Sequence, residues 1–438
     1  MAGGTWTRQN KVRPGAYINF KSKKKEAVNI SERGIATIPL ILSFGLEKKV
    51  IEIDRYTDLF QLIGIDMLDA EVLLIREALK RASKLLIYRV NSGTKAKVTN
   101  SGLTSEAKYS GTKGNSIKII IQTNIEDNTA FDVITMLGST QVDKQIKVKT
   151  VEDLEANSFV IFSGTGALSA TAGISLTGGS DGTVTNQNYI DYLADIELYE
   201  FNTIGIATTD SSLKAVVANF IRRLREQEGR KVQAVLEKYP EADYEGVISV
   251  KNGVILSDGT VITSDKAVAF VAGATAGADI NQSNTYSTYD GAVDVNIRYT
   301  NTDIEAAIKN GEIVFTTNNG RVIIEQDINT LKTFTDEKSK DFRKNRVLRV
   351  LDGINSDVKL LWDMNYAGKG NNNDDGRNLF KKDVIKLLET MQGINALQNV
   401  VAEDVTILAG EDIDSVLAII SAQPVDSMEK LYMEVEVQ

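Results

Sequence analysis

The chain contains no cysteine and no histidine. The first absence removes disulfides, thiol nucleophiles and cysteine-ligated zinc. The second removes the commonest general base near neutral pH, the commonest metal ligand and any Ser-His-Asp triad. Chemistry based on Asp, Glu, Lys or Tyr remains open, but the prospect of catalysis is much reduced. Proline occurs only at Pro14, Pro39, Pro240 and Pro424. No apolar run reaches the about 18 residues of a membrane-spanning helix. The first 25 residues hold no apolar stretch of the secretory kind, so no secretory signal is expected. No acid precedes Glu26, whereas Arg8, Lys11, Arg13, Lys21, Lys23, Lys24 and Lys25 do.

What is present is ordinary for a water-soluble chain: 438 residues, 42% hydrophobic and 25% charged. That length predicts about two to four domains. The formal net charge of −9 argues against general affinity for DNA or RNA. From Glu403 onward nine acids face Lys430 alone. A basic head and an acidic tail can attract each other between copies, or can simply be two solvated ends.

The first 25 residues read as an arm, in which "RPGAYINF" is a Pro-Gly turn leading into a strand over Tyr17–Phe20. "IATIPLILSF" (35–44) predicts a buried strand, "DAEVLLIREALKRAS" (69–83) a helix and "KLLIYRV" (84–90) a strand, an α/β order. Between 96 and 180 short β-prone runs recur, separated by Gly, Ser, Thr and Asn. They predict an antiparallel β domain inserted into the α/β layer.

The α/β texture resumes with a strand over 203–209, a helix capped by Ser211 and stopped by Gly229, and a strand over 231–236. That βαβ unit implies a parallel pair. Further on, a helix is expected over 336–362, then the polar loop "AGKGNNNDDGRN", then a helix over 379–391. The chain closes on "MEKLYMEVEVQ", where Leu431, Met433, Val435 and Val437 alternate with Tyr432, Glu434 and Glu436 as in a half-buried strand.

The fold class expected is therefore mixed α/β and multidomain. An arm (1–25) precedes an α/β domain (26–95 plus 181–335) that carries the inserted β domain (96–180). A C-terminal α/β domain (336–424) and a strand arm (425–438) follow.

No motif carries chemistry. "NNNDDG" (371–376) resembles a calcium loop, but Lys382 stands where the bidentate acid belongs. "VAGATAGAD" (271–279) lacks both GxGxxG and the P-loop lysine, so its small residues read as close backbone packing. "SSLK" (211–214) is a helix start, and the carboxylates are scattered. No catalytic residue, metal site or cofactor is implied. Unpartnered strand ends instead point to strand addition between chains.

Several stretches together resemble the tail sheath protein of contractile, myovirus-type phage tails and phage-tail-like bacteriocins of Gram-positive bacteria. They are "VRPGAYINF" (12–20), "YSGTKGN" (109–115), "LTGGSDG" (176–182), "VAGATAGADINQSNTY" (271–286), "NGRVIIEQDINTLKTF" (319–334), "RVLRVLDGINSDV" (346–358) and "PVDSMEKLYMEVEV" (424–437). The resemblance implies a structural subunit of six-membered rings stacked helically around an inner tail tube. Such a subunit contracts to drive the tube through a target envelope, without catalysis. It also implies partners at the baseplate and tail terminator, no nucleic acid and no direct membrane insertion. Assembly would take place in the host cytoplasm, within a phage tail or a released bacteriocin particle.

The resemblance further implies strand exchange between subunits through Arg13, Pro14, Gly15, Tyr17, Ile18 and Phe20 at one end, and through Leu431, Tyr432, Met433, Val435 and Val437 at the other. Lys381, Lys382 and Lys386 are candidate tube contacts, and the inserted domain should face outward. The competing readings are a carbohydrate-binding or adhesin protein, secreted or particle-borne, and a hydrolase on the α/β layer.

Overall fold

The computed structural model describes residues 33–437, together with Val12 and the backbone of Ala2–Gly4 and Gly15–Tyr17. Its centre is a seven-stranded sheet. In spatial order the strands are Glu312–Ile313, Val247–Val250, Gln233–Glu237, Thr203–Gly205, Ile35–Leu40, Lys84–Arg89 and Val50–Ile53. Every neighbouring pair is parallel except the last, where Val50–Ile53 runs antiparallel to Lys84–Arg89. Parallel strands need crossovers, and these cover both faces with helices. Leu86, Tyr88 and Val90 therefore pack under the Asn186–Ile196 and Ser211–Glu226 helices. Leu85 and Ile87 pack on the opposite face, with the Leu73–Leu79 and Ser264–Gly277 helices. Each fully buried Leu or Ile of this kind contributes about 1.5–3 kcal/mol.

The βαβ expectation is met: Thr203↔Gln233 begins a parallel register. Its cap differs from expectation. Asp210, not Ser211, is the N-cap, because its Oδ1 accepts from Ser212 N at 2.7 Å and Leu213 N at 3.3 Å. A carboxylate there also meets the positive end of the helix. The helix expected over 69–83 is a 3-10 turn, Ala70–Val72, followed by the α-helix Leu73–Leu79.

The inserted β domain is a sandwich of two antiparallel sheets. One orders Thr140–Val148, Phe131–Leu137, Ile117–Thr123 and Thr171–Ser175. The other orders Val160–Gly164, Leu103–Ala107 and Lys97–Asn100. Ile117, Ile119, Ile121, Val133 and Val160 fill the space between them. The Gly-rich runs at entry and exit touch each other. Asp181 accepts from Thr112 N at 2.7 Å, and Asn115 exchanges bonds with Gly179 at 2.8 and 2.9 Å. Gly182 sits at φ 72°, where a Cβ would lie 1.9 Å from Ser92 O, so the crossing strands leave no room for a side chain.

The C-terminal portion carries two helices and a hairpin. The stretch expected as one helix over 336–362 begins with a 3-10 turn at Lys340–Arg343 and becomes α-helical at Asn345–Asn365. Extended backbone at Lys344 (φ −80°, ψ 119°) separates the two. The next helix starts earlier than expected, at Asp374, and runs to Gly393. Asn373 caps it by accepting from Gly376 N at 2.9 Å, and Asp374 and Asp375 lie in its first turn. Part of the presumed polar loop is thus a helix start. Val405–Ala409 and Val416–Ile420 pair antiparallel and cover this helix pair. Among the described residues no helix is long and apolar enough to cross a membrane.

Candidate functional site

The chain's last segment is extended, and its route is set by a series of fixed points. Past the hairpin, Pro424 bridges Leu397, and Val425 N donates to Ala396 O at 2.9 Å. Four residues later the Glu429 side chain, 10% exposed, enters a polar pocket. Thr285 Oγ1 donates to it at 2.8 Å and Gln326 Nε2 at 2.6 Å. Lys344 Nζ forms an ion pair with it and lies 3.5 Å from Asp426. Burial pushes the Glu429 carboxyl up, but the bonds from Lys344, Gln326 and Thr285 outweigh it and hold the group below the usual glutamate range.

This clamp joins a deeper polar network. Thr285 Oγ1, which donates to Glu429, accepts from Asp327 N at 3.0 Å. Buried Asp327 in turn receives Arg349 Nη2 at 2.7 Å, Asn345 Nδ2 at 2.8 Å and Asn284 N at 2.9 Å. Beside it Arg225 and Asp352 form a two-point pair, and Gln233 Nε2 donates to Asn345 at 3.2 Å. The long C-terminal helix is therefore fixed to the α/β body by buried charge pairs, and to the central sheet through Gln233. Around the clamp lies an open groove of about 900 Å³, lined by Tyr286, Ile308, Ile328, Lys340 and Arg343 among others.

Beyond Lys430 the character changes. Leu431, Tyr432, Met433, Val435 and Val437 are 85, 87, 76, 72 and 94% exposed, so both faces of the alternation are open to solvent. Leu431–Val437 forms no strand within its own chain, so the alternation in its sequence has no partner there. A strand needs a partner for its main chain, and none of the described strands supplies one. At the other end, the backbone of Gly15–Tyr17 is a short strand parallel to Ala2–Gly4. Arg13, Pro14, Ile18 and Phe20 lie outside the described residues, as does most of the expected Tyr17–Phe20 strand.

The Asp374–Gly393 helix buries Phe380, Val384, Leu387, Leu388 and Met391. Lys382 and Lys386 stand one turn apart on its exposed side, and Lys381 is half-buried. Sequence reasoning did not find Glu429, Lys344, Thr285, Gln326, Arg225 or Asp352. Glu429 falls within the quoted "PVDSMEKLYMEVEV", but its partners are remote in sequence and no local pattern announces them.

Family models match the chain in consecutive blocks. They are the tail sheath protein Gp18 domain III N-terminal region (33–90) and the phage tail sheath protein beta-sandwich domain (91–181). The phage tail sheath protein central domain (182–330) and the phage tail sheath C-terminal domain (337–438) follow. The phage-like element PBSX protein XkdK of Bacillus subtilis (strain 168) is 41% identical over 467 residues, covering 100% of both chains. The crystal structure of the sheath tail protein of Desulfitobacterium hafniense matches with a TM-score of 0.87 at 52% identity, over 96% of this chain and 99% of that one. The helical sheath of the anti-feeding prophage in its contracted state shares the fold at 12% identity, with a TM-score of 0.58 over 97% of this chain and 99% of that one. The chain therefore belongs to the phage tail sheath protein family, as a structural subunit of a contractile tail sheath.

Proposed function

We propose that this subunit polymerises as six-membered rings stacked helically around an inner tail tube, and that contraction of the stack drives the tube through a target envelope. Baseplate and terminator proteins bound the stack, and assembly takes place in the host cytoplasm. No cofactor, nucleic acid or catalytic step enters the cycle. The energy comes from repacking: at roughly 25 cal/mol per Å², about 400 Å² of extra apolar burial corresponds to some 10 kcal/mol per subunit before opposing terms.

The observation that carries this reading is the exposed, alternating Leu431–Val437 segment, with no strand partner among the described residues of its own chain. In the assembly it adds to a sheet of the next copy, as the N-terminal arm (Arg13, Pro14, Gly15, Tyr17, Ile18, Phe20) does at the other end. Two different ends used head to tail make a heterologous contact, which builds rings and filaments. Main-chain bonds across an added strand can persist while whole domains rotate. The domains that move are the α/β body (26–95 plus 181–335), the β sandwich (96–180) on the outer surface and the C-terminal domain (336–424). The last of these faces the tube through Lys381, Lys382 and Lys386.

Electron microscopy of purified protein tests the proposal. The full chain is expected to form tubes or ring stacks, whereas deletion of residues 1–20 or 431–438 leaves folded protein without them. Tubes formed normally by both deletions would remove strand exchange from the account.

A further inference from the structure

The free arm begins abruptly at the clamp. Glu429 has four protein donors within reach: Thr285, Gln326, Lys344 and Ser427 Oγ, the last at 3.3 Å. The residues that follow it, Leu431 to Val437, are exposed. The donors come from separate parts of the fold. Thr285 lies in the loop after the Ser264–Gly277 helix, and Gln326 follows the Arg321–Ile324 strand. Lys344 is the residue from which the Asn345–Asn365 helix starts. Through Thr285 and Asp327 the carboxylate is tied to buried Arg349. A group bonded to this many remote elements fixes a point in space. Glu429 is also out of place by composition, since the arm itself is solvated and an acid in it has no need of burial.

We propose that Glu429 is a positioning residue for assembly: its clamp fixes the point and direction from which the Leu431–Val437 arm leaves the subunit, so that a second copy meets a preorganised strand. This rests on the strand-exchange reading above and adds to it a residue whose bonds lie within its own subunit. The physical reason is entropic. An arm hinged further back, at Val425, would sweep a larger volume before docking, and the order lost on binding would weaken association. Charge-assisted hydrogen bonds are strong enough to suppress that motion.

The test uses the full chain with Glu429→Ala, and with Glu429→Gln as a second variant that keeps the side-chain length and one acceptor oxygen. Three quantities are read. They are the thermal midpoint of the unassembled protein, the critical concentration for tube formation by light scattering, and the rate of tryptic cutting after Lys430. Expected for Glu429→Ala is a modest fall in the midpoint, since Lys344 loses its partner, together with a critical concentration raised about tenfold and several-fold faster cutting, both out of proportion to that fall. Glu429→Gln should fall between it and the unaltered protein. A merely stabilising contact would shift the midpoint and leave cutting at Lys430 in proportion to it. Unchanged critical concentration and cutting in Glu429→Ala would overturn the clamp. If the 431–438 deletion blocks assembly in the same assay, strand exchange survives that result. If the deletion assembles normally, the underlying reading fails instead.

Discussion

Arg225 and Asp352 meet as a buried two-point ion pair, Nη1 to Oδ2 at 2.9 Å and Nη2 to Oδ1 at 2.8 Å. Arg225 lies near the end of the Ser211–Glu226 helix and Asp352 in the first half of the Asn345–Asn365 helix, so one contact joins a helix that covers the central sheet to the C-terminal helices. Arg225 Nη1 also donates to Val232 O at 3.1 Å. With Asp327–Arg349 nearby, the boundary between these parts is held by charges with little access to water.

Breaking such a pair from one side leaves a buried charge without its partner, and that costs more than the pair contributes. Asp352→Ala is expected to lower stability by about 3–5 kcal/mol. Replacing both residues by apolar ones of similar size should cost much less. Chemical denaturation of the single and double variants checks this; equal losses in both would show that the cost is packing and not charge.

The Ser264–Gly277 helix lies against the Leu73–Leu79 helix so closely that a Cβ on Gly273 would stand 2.1 Å from Ala78 O, and one on Gly277 2.0 Å from Arg81 O. In an exposed helix Gly→Ala gains about 1 kcal/mol. Here backbone must move to admit the methyl, a cost of about 1–3 kcal/mol. Gly273→Ala should therefore destabilise on balance. A raised thermal midpoint would contradict the close approach.

Acid should loosen the arm. The Glu429 carboxyl is held below its ordinary range, since burial raises it but the bonds from Lys344, Gln326 and Thr285 lower it further. A depressed folded value means the tether is fully present above the unfolded value of about 4.3 and is lost as pH falls through the lower folded value. Lys344 pairs with the carboxylate and lies 3.5 Å from Asp426, and Glu305, Glu325, Asp341, Lys309, Lys340, Arg343 and Lys430 line the same groove. Because the chain has no cysteine, a dye can be placed uniquely through Val437→Cys. Its anisotropy should drop on acidification before far-UV dichroism changes, and Glu429→Gln should abolish that step. Identical profiles in both proteins would count against titration of Glu429.

Much of the architecture is legible wherever a segment buries a face that its own sequence marks. Within Lys84–Arg89 the residues 85–88 are covered on both sides and read as a continuous apolar run. The Ile117–Thr123 and Phe131–Leu137 strands alternate because only one face meets the sandwich core. The Ser264–Gly277 helix is different. Ala267 through Ala276 are buried all round, so there is no polar face to give a period. Its small residues betray the close packing but not the helix. The Glu429 site was illegible because Thr285, Gln326 and Lys344 are brought to it by the folding of separate elements. The terminal segment meets the same limit: alternation states what a segment would bury, but not where its partner is.

That alternation yields the last prediction. Leu431, Met433, Val435 and Val437 are exposed and form one side of the extended arm, while Tyr432, Glu434 and Glu436 form the other. If the arm adds to a neighbour's sheet, the first set becomes buried and the second need not. Met433→Lys and Val435→Lys should each raise the critical concentration for assembly. Burying an unpaired charge costs several kcal/mol, comparable with what the main-chain bonds of so short a strand contribute. Glu434→Lys should change assembly little at moderate salt. None of the three should move the thermal midpoint of the unassembled protein, because these side chains are solvated before docking. Sedimentation velocity across a concentration series distinguishes the sets. Equal effects at Met433 and Glu434 would mean that the arm docks without a fixed face, and so not as a strand.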